Sequence, residues 1–231
     1  AGNRLFRYDM AMTGTEEAER RAKAMLLVDT GSVSGLDALG IGRLDLGAGL
    51  DYLRLLERRA GFPFLSANLR DDQGELIFPG SVIIERGDRT IGVTSVLPGG
   101  SAGLGYASDD PMAAAKREVA TLRSLGAETV IVLSNLGMDA GVKLARASKA
   151  DVILSSQSRR LTPEGQRLGK ALGGEPSSRG RYLGDLRIYA KRARRGDSFV
   201  LTTLPVHKEG PQHPRVRALI ESTLQRLADP V

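Results

Sequence analysis

The side chains that most often perform chemistry are scarce in this chain. It has no Cys, so thiolate nucleophiles, disulfides and Cys-based metal sites are excluded. Its two His, His207 and His213, stand beside Pro-rich turns near the C-terminus, where such residues are ordinarily surface groups. Ser32, Ser134 and Ser155 stand at or just after the ends of apolar runs. A serine hydroxyl becomes a nucleophile only beside an activating base. No His adjoins any of the three, and Lys149 or a carboxylate would have to serve. Asp29 ends the apolar run 25–29, and Asp45 stands between Leu44 and Leu46.

The elements that must hold these residues follow from the apolar pattern. EEAERRAKA (16–24) is helix-like, and the short apolar run MLLVD (25–29) reads as a buried strand followed by a Gly/Ser loop over 30–35. Residues 46–59 carry apolar positions at helical spacing. FPFLSAN (62–68) reads as a strand. Residues 81–85 and 90–97 flank Arg86-Gly87-Asp88-Arg89 as a hairpin. Asp109-Asp110-Pro111 predicts a helix start, with the helix running to Leu125 and stopping at Gly126. ETVIVLS (128–134) and ADVILS (150–155) read as buried strands separated by a helix near 139–148. Residues 181–190 and 198–206 predict a hairpin around 194–197, and 214–228 a closing helix with Val216, Leu219, Ile220 and Leu224 packed on the core. The Gly/Ser/Pro-rich stretch 169–180 reads as a surface loop, and the glycines at 99, 100, 103 and 105 as a flexible one.

Alternating strands and helices without a linker indicate one layered α/β domain over 1–231, and 41% apolar residues in 231 suffice for one large core. The net charge of +6 permits anionic partners. The densest basic run, Lys191-Arg192-Ala193-Arg194-Arg195, has no interleaved aromatics, and aromatics make up only 4% of the chain, so nucleic acid is not an expected partner. No apolar run reaches the ~20 residues that span a bilayer. Arg-Gly-Asp at 86–88 and at 195–197 falls on predicted turns, where Gly and Asp are favoured for geometry.

Eight blocks in one order resemble the catalytic domain of the 5′-nucleotidase branch of the metallophosphoesterases. They are LLVDTGSVSG (26–35), GIGRLDLG (40–47), FPFLSANL (62–69), RGDRTIGVTSVL (86–97), DDPMAAAKREVATLRSLG (109–126), TVIVLSNLG (129–137), DVILSSQSR (151–159) and SRGRYLGDL (178–186). The resemblance implies a four-layer α/β/β/α sandwich of two facing mixed sheets. It also implies a site at the loops after the strands and a periplasmic or extracellular location.

Two divalent metals perform the family's phosphoester chemistry by clamping the phosphate and generating a hydroxide. On the resemblance, the family's bridging Asp falls on Ser32. Its G-N-H-E motif falls on Gly40, Ile41, Gly42 and Arg43. The His of its S-H-l-G block falls on Asn135, and the two His of G-H-s-H fall on Gln157 and Arg159. Its D-x-H motif matches Asp9-Met10-Ala11. Asp45 would cap the helix after it. Arg has no acceptor and cannot ligate a metal, so Arg43 and Arg159 would repel one. The expected metal set is therefore empty, with no cofactor.

Three functions remain open. The chain is a non-catalytic binding or structural subunit that contacts another protein. Alternatively it binds phosphate or a nucleotide without metal, through Arg43, Arg159, Asn135, Gln157 and Asn68. In that case both Arg would be free of Asp29 and Asp45. The third reading is a residual phosphoesterase with a new mechanism.

Overall fold

The computed structural model describes residues 4–6, 14–101, 105–158, 160–177, 180–189, 198–207 and 209–228. The elements begin with α1 (Gly14–Val33), β1 (Leu39–Gly40), a 3₁₀ turn (Arg43–Ala48), α2 (Leu50–Arg59), β2 (Phe64–Leu65) and β3 (Leu69–Asp71). Next come β4 (Ser81–Arg86), β5 (Arg89–Val96), β6 (Gly100–Ser101), β7 (Tyr106–Ser108), α3 (Pro111–Ser124) and β8 (Thr129–Ser134). A second 3₁₀ turn (Met138–Ala140) leads to α4 (Gly141–Ser148), β9 (Val152–Ser155), β10 (Gln166–Leu168) and β11 (Ala171–Gly174). The chain closes with β12 (Tyr182–Ile188), β13 (Phe199–Pro205) and α5 (Pro214–Ala228).

The mixed α/β architecture agrees with the expected class. Its main sheet has six strands in the order β10-β11-β9-β8-β5-β4, and the remaining strands form one three-stranded and two two-stranded sheets. The four inner strands of the main sheet run parallel, with β4 and β10 antiparallel at its edges. α3 and α4 cover one face of this sheet with a core of Ala114, Val119, Leu122, Val130, Val132, Leu144 and Ile153. β1 and β2 pair in parallel against the other face, where Leu65 meets Val93 and Leu133. The approach is close. A Cβ built on Gly40 would lie 2.6 Å from Ser95 Oγ and 3.0 Å from Leu133 Cβ, so a larger residue at 40 would push the layers apart. Beyond β1 and β2, α1 and α2 enclose a second core around Val28, Leu53, Leu56, Phe64 and Phe78.

Several expectations need correction. Met25–Asp29 is not a strand and 30–35 is not all loop, because α1 continues to Val33. Ion pairs Glu16–Arg20, Glu17–Arg21 and Glu19–Lys23 at i,i+4 support its first turns. Ala24 and Val28 then bury one stripe at the same spacing, so the apolar run packs as a helix face. The helix expected over 46–59 is broken at Gly49, whose φ of 84° ends the 3₁₀ turn and starts α2. The strand expected over 62–68 is only Phe64–Leu65.

The surface loop expected over 169–180 contains β11, whose four residues are all buried and whose Leu172, Gly173 and Gly174 pair with β9. Its glycines serve packing, because a Cβ on Gly173 would lie 2.2 Å from Leu168 Cδ1 and one on Gly174 would lie 2.5 Å from Leu201 Cδ2. Of the glycines at 99, 100, 103 and 105, Gly100 lies in β6 and pairs with Ser108 of β7, and Gly103 lies outside the described residues. On α5, Ile220 and Leu224 are 39% and 56% exposed, so its stripe is only partly core. The basic run 191–195, the second Arg-Gly-Asp and the turn 194–197 lie outside the described residues.

Tyr52 ties α2 to α1. Its hydroxyl donates to Arg21 O at 2.7 Å, the Arg21 guanidinium lies 4.6 Å from its ring centroid, and its ring meets Phe6 edge-on at 6.4 Å. Burial pushes the Tyr52 phenol above its ordinary value, against the charges of Arg21 and Arg59. A raised folded value means that Tyr52 adds stability below the unfolded tyrosine range of about 10, lost as pH rises through it. Tyr52→Phe is expected to lower the unfolding free energy by about 1 kcal/mol at neutral pH. Chemical denaturation at pH 7 and above 10 should also show a smaller alkaline loss in the variant.

Candidate functional site

The parallel strands end side by side, which is where open α/β sheets place their sites. Ser134 ends β8 and pairs with Ser155 at the end of β9, and the Ser156 N–H donates to Ser134 O at 2.9 Å. The next residue, Asn135, is buried, and its own N–H donates to Val96 O at the end of β5. The chain leaving β1 arrives from the facing layer, and the Arg43 N–H donates to Asn135 Oδ1 at 3.0 Å. On its other side, Asn135 Nδ2 donates to Ser156 Oγ at 3.1 Å and to Gln157 Oε1 at 3.4 Å. Three of the five sequence candidates, Arg43, Asn135 and Gln157, therefore meet at one point, Arg43 through its backbone.

Asn68 is fully buried a short way along this edge. Its Nδ2 donates to Leu97 O at 2.8 Å and to Asp109 O at 3.0 Å, and its Oδ1 accepts from the Leu97 N–H at 3.1 Å. Its polar atoms are engaged with backbone. Arg159 and the Asp9-Met10-Ala11 match lie outside the described residues.

Asp45 is buried beneath the 3₁₀ turn. Its Oδ2 accepts from the Gly42 N–H at 2.9 Å and its Oδ1 from the Leu5 N–H at 2.7 Å. It closes its own turn and pins the N-terminal segment, and does not cap α2. Asp29 holds Arg59 through two bonds of 2.5 and 2.8 Å.

Sequence reasoning missed Glu175. It follows β11, is 1% exposed, and its carboxylate accepts from the Gln157 N–H at 3.1 Å and from Ser158 Oγ at 2.6 Å. Its own N–H donates to Thr162 Oγ1 at 3.1 Å. Gln157 has φ 143°, a conformation that non-glycine residues seldom adopt, so Glu175 holds a strained loop in place. The apolar Ala171-Leu172 pair before the glycines was the available signal for a strand that would deliver Glu175 to this edge.

The serine readings lose their geometry. Ser32 lies in the last turn of α1, its hydroxyl donating to Val28 O and accepting from the Gly61 N–H just before β2. That places it at the start of the β1–β2 layer, at the opposite end from Asn135, so the match of Ser32 to a bridging ligand does not put it at the strand ends. Lys149 caps the C-terminus of α4, before β9 begins, and so lies at the far end of that strand from Ser155.

The metal pair that the sequence resemblance implies can be tested against these donors. Among the described residues no group of three or more His, Asp or Glu side chains could hold a metal ion. Amides of Asn135 and Gln157 and the hydroxyl of Ser156 are neutral, and the nearby carboxylates of Asp45 and Glu175 accept from backbone and hydroxyl donors. The described residues do not fit a dinuclear centre, and no chemical step is derived through one.

No sequence family and no curated protein sequence matches the chain. Solved structures do. Thermus thermophilus sulfate thiohydrolase SoxB superimposes with TM-score 0.76 at 24% identity over 92% of this chain and 40% of its own. A 5′-nucleotidase precursor from Thermus thermophilus gives TM-score 0.76 at 18% identity over 90% of this chain and 46% of its own. The calcineurin-like phosphoesterase YfkN from Bacillus subtilis gives TM-score 0.70 at 20% identity, over 94% and 74%. The chain spans less than half the length of the first two. Among the described residues no helix is long and apolar enough to cross a membrane. The fold of this chain is that of the metallophosphoesterases of the 5′-nucleotidase type.

Proposed function

We propose that the chain is a non-catalytic binding or structural subunit of a protein assembly, built on a phosphoesterase-type fold. The observation that supports this most is at Asn135. At the strand edge where the resemblance puts a ligand His, the side chain accepts from the Arg43 backbone and donates to Ser156 and Gln157. A group that bridges two loops in this way stabilises the closed edge and presents little to a ligand. The same engagement weakens the metal-free anion reading, which needs Asn135 and Asn68 as donors. The partner on this reading is another protein, and the compartment is periplasmic or extracellular, as the resemblance implies.

The test is elemental mass spectrometry after incubation with manganese and zinc and then desalting, together with phosphate release from AMP. Near-zero metal per chain and no release above buffer are expected. About two metals per chain, the stoichiometry of a two-metal site, or release of phosphate in proportion to protein, would overturn the proposal.

A further inference from the structure

The hairpin of β12 and β13 has one face on the core and one in solvent. Leu201 points inward and is 7% exposed. The opposite face carries Leu183, Tyr189, Val200, Leu204 and Val206, which are 62%, 42%, 38%, 47% and 58% exposed. These alternate along both strands, and the pairing sets Leu183, Leu204 and Val206 at one end of the face and Val200 and Tyr189 at the other, with Asp185 and Thr202 between them. Exposed apolar side chains gathered on one sheet face and framed by polar groups mark an interaction site. The sheet also has an open edge. Among the described residues, β12 pairs only with β13. Val206 N–H donates to Arg181 O and Tyr189 N–H to Ser198 O, so odd-numbered residues of β12 face β13. The backbone groups of Tyr182, Gly184, Leu186 and Ile188 therefore point away from β13, along a free edge of the kind that recruits another strand.

The charges on this edge specify which strand fits. Asp185 and Arg187 sit two apart on the outer face and pair with each other at 3.0 Å. We propose that the occupant is a second copy of this chain, with the two β12 strands pairing antiparallel about a two-fold axis at Leu186. In that register Asp185 lies opposite Arg187 of the second copy, and Arg187 opposite Asp185. Leu183 lies opposite Tyr189 in both copies. The outward-pointing backbone groups of Leu186 meet each other, as do those of Gly184 and Ile188. Moving the axis one residue along the strand in either direction sets Asp185 against Asp185 or Arg187 against Arg187, and like charges directly opposite oppose pairing. The strand is thus self-complementary in one register, and the two apolar faces join into a single four-stranded surface. The inference does not rest on the metal reading and stands or falls separately from it.

Sedimentation velocity of the 231-residue chain across the micromolar range tests it. A concentration-dependent dimer is expected. Arg187→Asp places Asp against Asp twice at the two-fold and should weaken the dimer at least about tenfold. The double variant Asp185→Arg with Arg187→Asp keeps the pair within each chain, preserves its fold, and should restore dimerisation to within about threefold of the original. A wild-type chain that stays monomeric would overturn the proposal and leave the face to a different protein. So would an Arg187→Asp chain that dimerises as well as wild type, or a double variant with a native melting curve that remains a monomer.

Discussion

Asn68→Asp is expected to lower the unfolding free energy by about 4 kcal/mol, through an uncompensated charge in the interior. The substitution is nearly isosteric, so packing is not the cause. Asn68 Nδ2 donates to Leu97 O and Asp109 O, and a carboxylate would set an anionic oxygen against those two carbonyls. Asn68 is fully buried, so solvent does not relieve the repulsion. Asn68→Ala removes the same donors without adding charge. It leaves the Leu97 N–H without its acceptor and should reduce stability by about 3 kcal/mol. The ordering of the two variants is the informative part. Thermal melting should put Asn68→Asp below Asn68→Ala, with the larger shift near 12 °C at about 2–4 °C per kcal/mol for a chain of this size. The reverse order would mean that Asn68 is wetted from the strand edge and available to a ligand.

Glu175→Ala is expected to lower stability by about 3 kcal/mol. Two donors lose their acceptor at once, the Gln157 N–H and the Ser158 hydroxyl. Burying a carboxylate is itself unfavourable, which offsets part of the loss, but bonds to an ionised acceptor are the stronger kind. The effect should be local as well as global. Gln157 keeps its φ of 143° only while its amide is held, so amide exchange at Gln157 should accelerate beyond what the global loss explains. Glu175→Gln retains one good acceptor and should fall between wild type and alanine. Equal melting of wild type and Glu175→Ala would show that the loop is held by other contacts.

Much of the fold was legible because some segments carry complete local signals. Asp110 accepts from the Ala113 N–H at 2.7 Å and Pro111 opens α3, as an acidic residue before Pro predicts. The β4–β5 hairpin turns at Gly87, with φ 60°, where Arg-Gly-Asp-Arg implied it. The strands 129–134 and 152–155 are apolar runs too short for a helix and bounded by polar residues. Met25–Asp29 had such a bound only at Asp29. Four apolar residues continuous with a helical run fit either period, and only the buried stripe on α1 decides between them. At Ala171–Gly174, glycine carried the signal of a loop while its role was to let Leu168 and Leu201 approach.

The site was legible by letter and not by contact. The resemblance brought Arg43, Asn135 and Gln157 to one place, and the structure brings those three together. It matched Ser32 from flanking letters that belong to a helix at the other end of the layer. Glu175 went unseen because its importance lies in bonds to residues 17 and 18 positions away. The Arg43–Asn135 bond joins residues 92 apart, beyond the reach of any local pattern.

The bond from Arg43 to Asn135 also bears on how freely this edge can change. A substitution that removes the amide at 135 takes from the Arg43 N–H its acceptor and from Ser156 and Gln157 the donor they share. Segments far apart in the chain therefore depend on one side chain, and a change in one of them is felt by the others. The outer surfaces carry no such coupling and are free to vary.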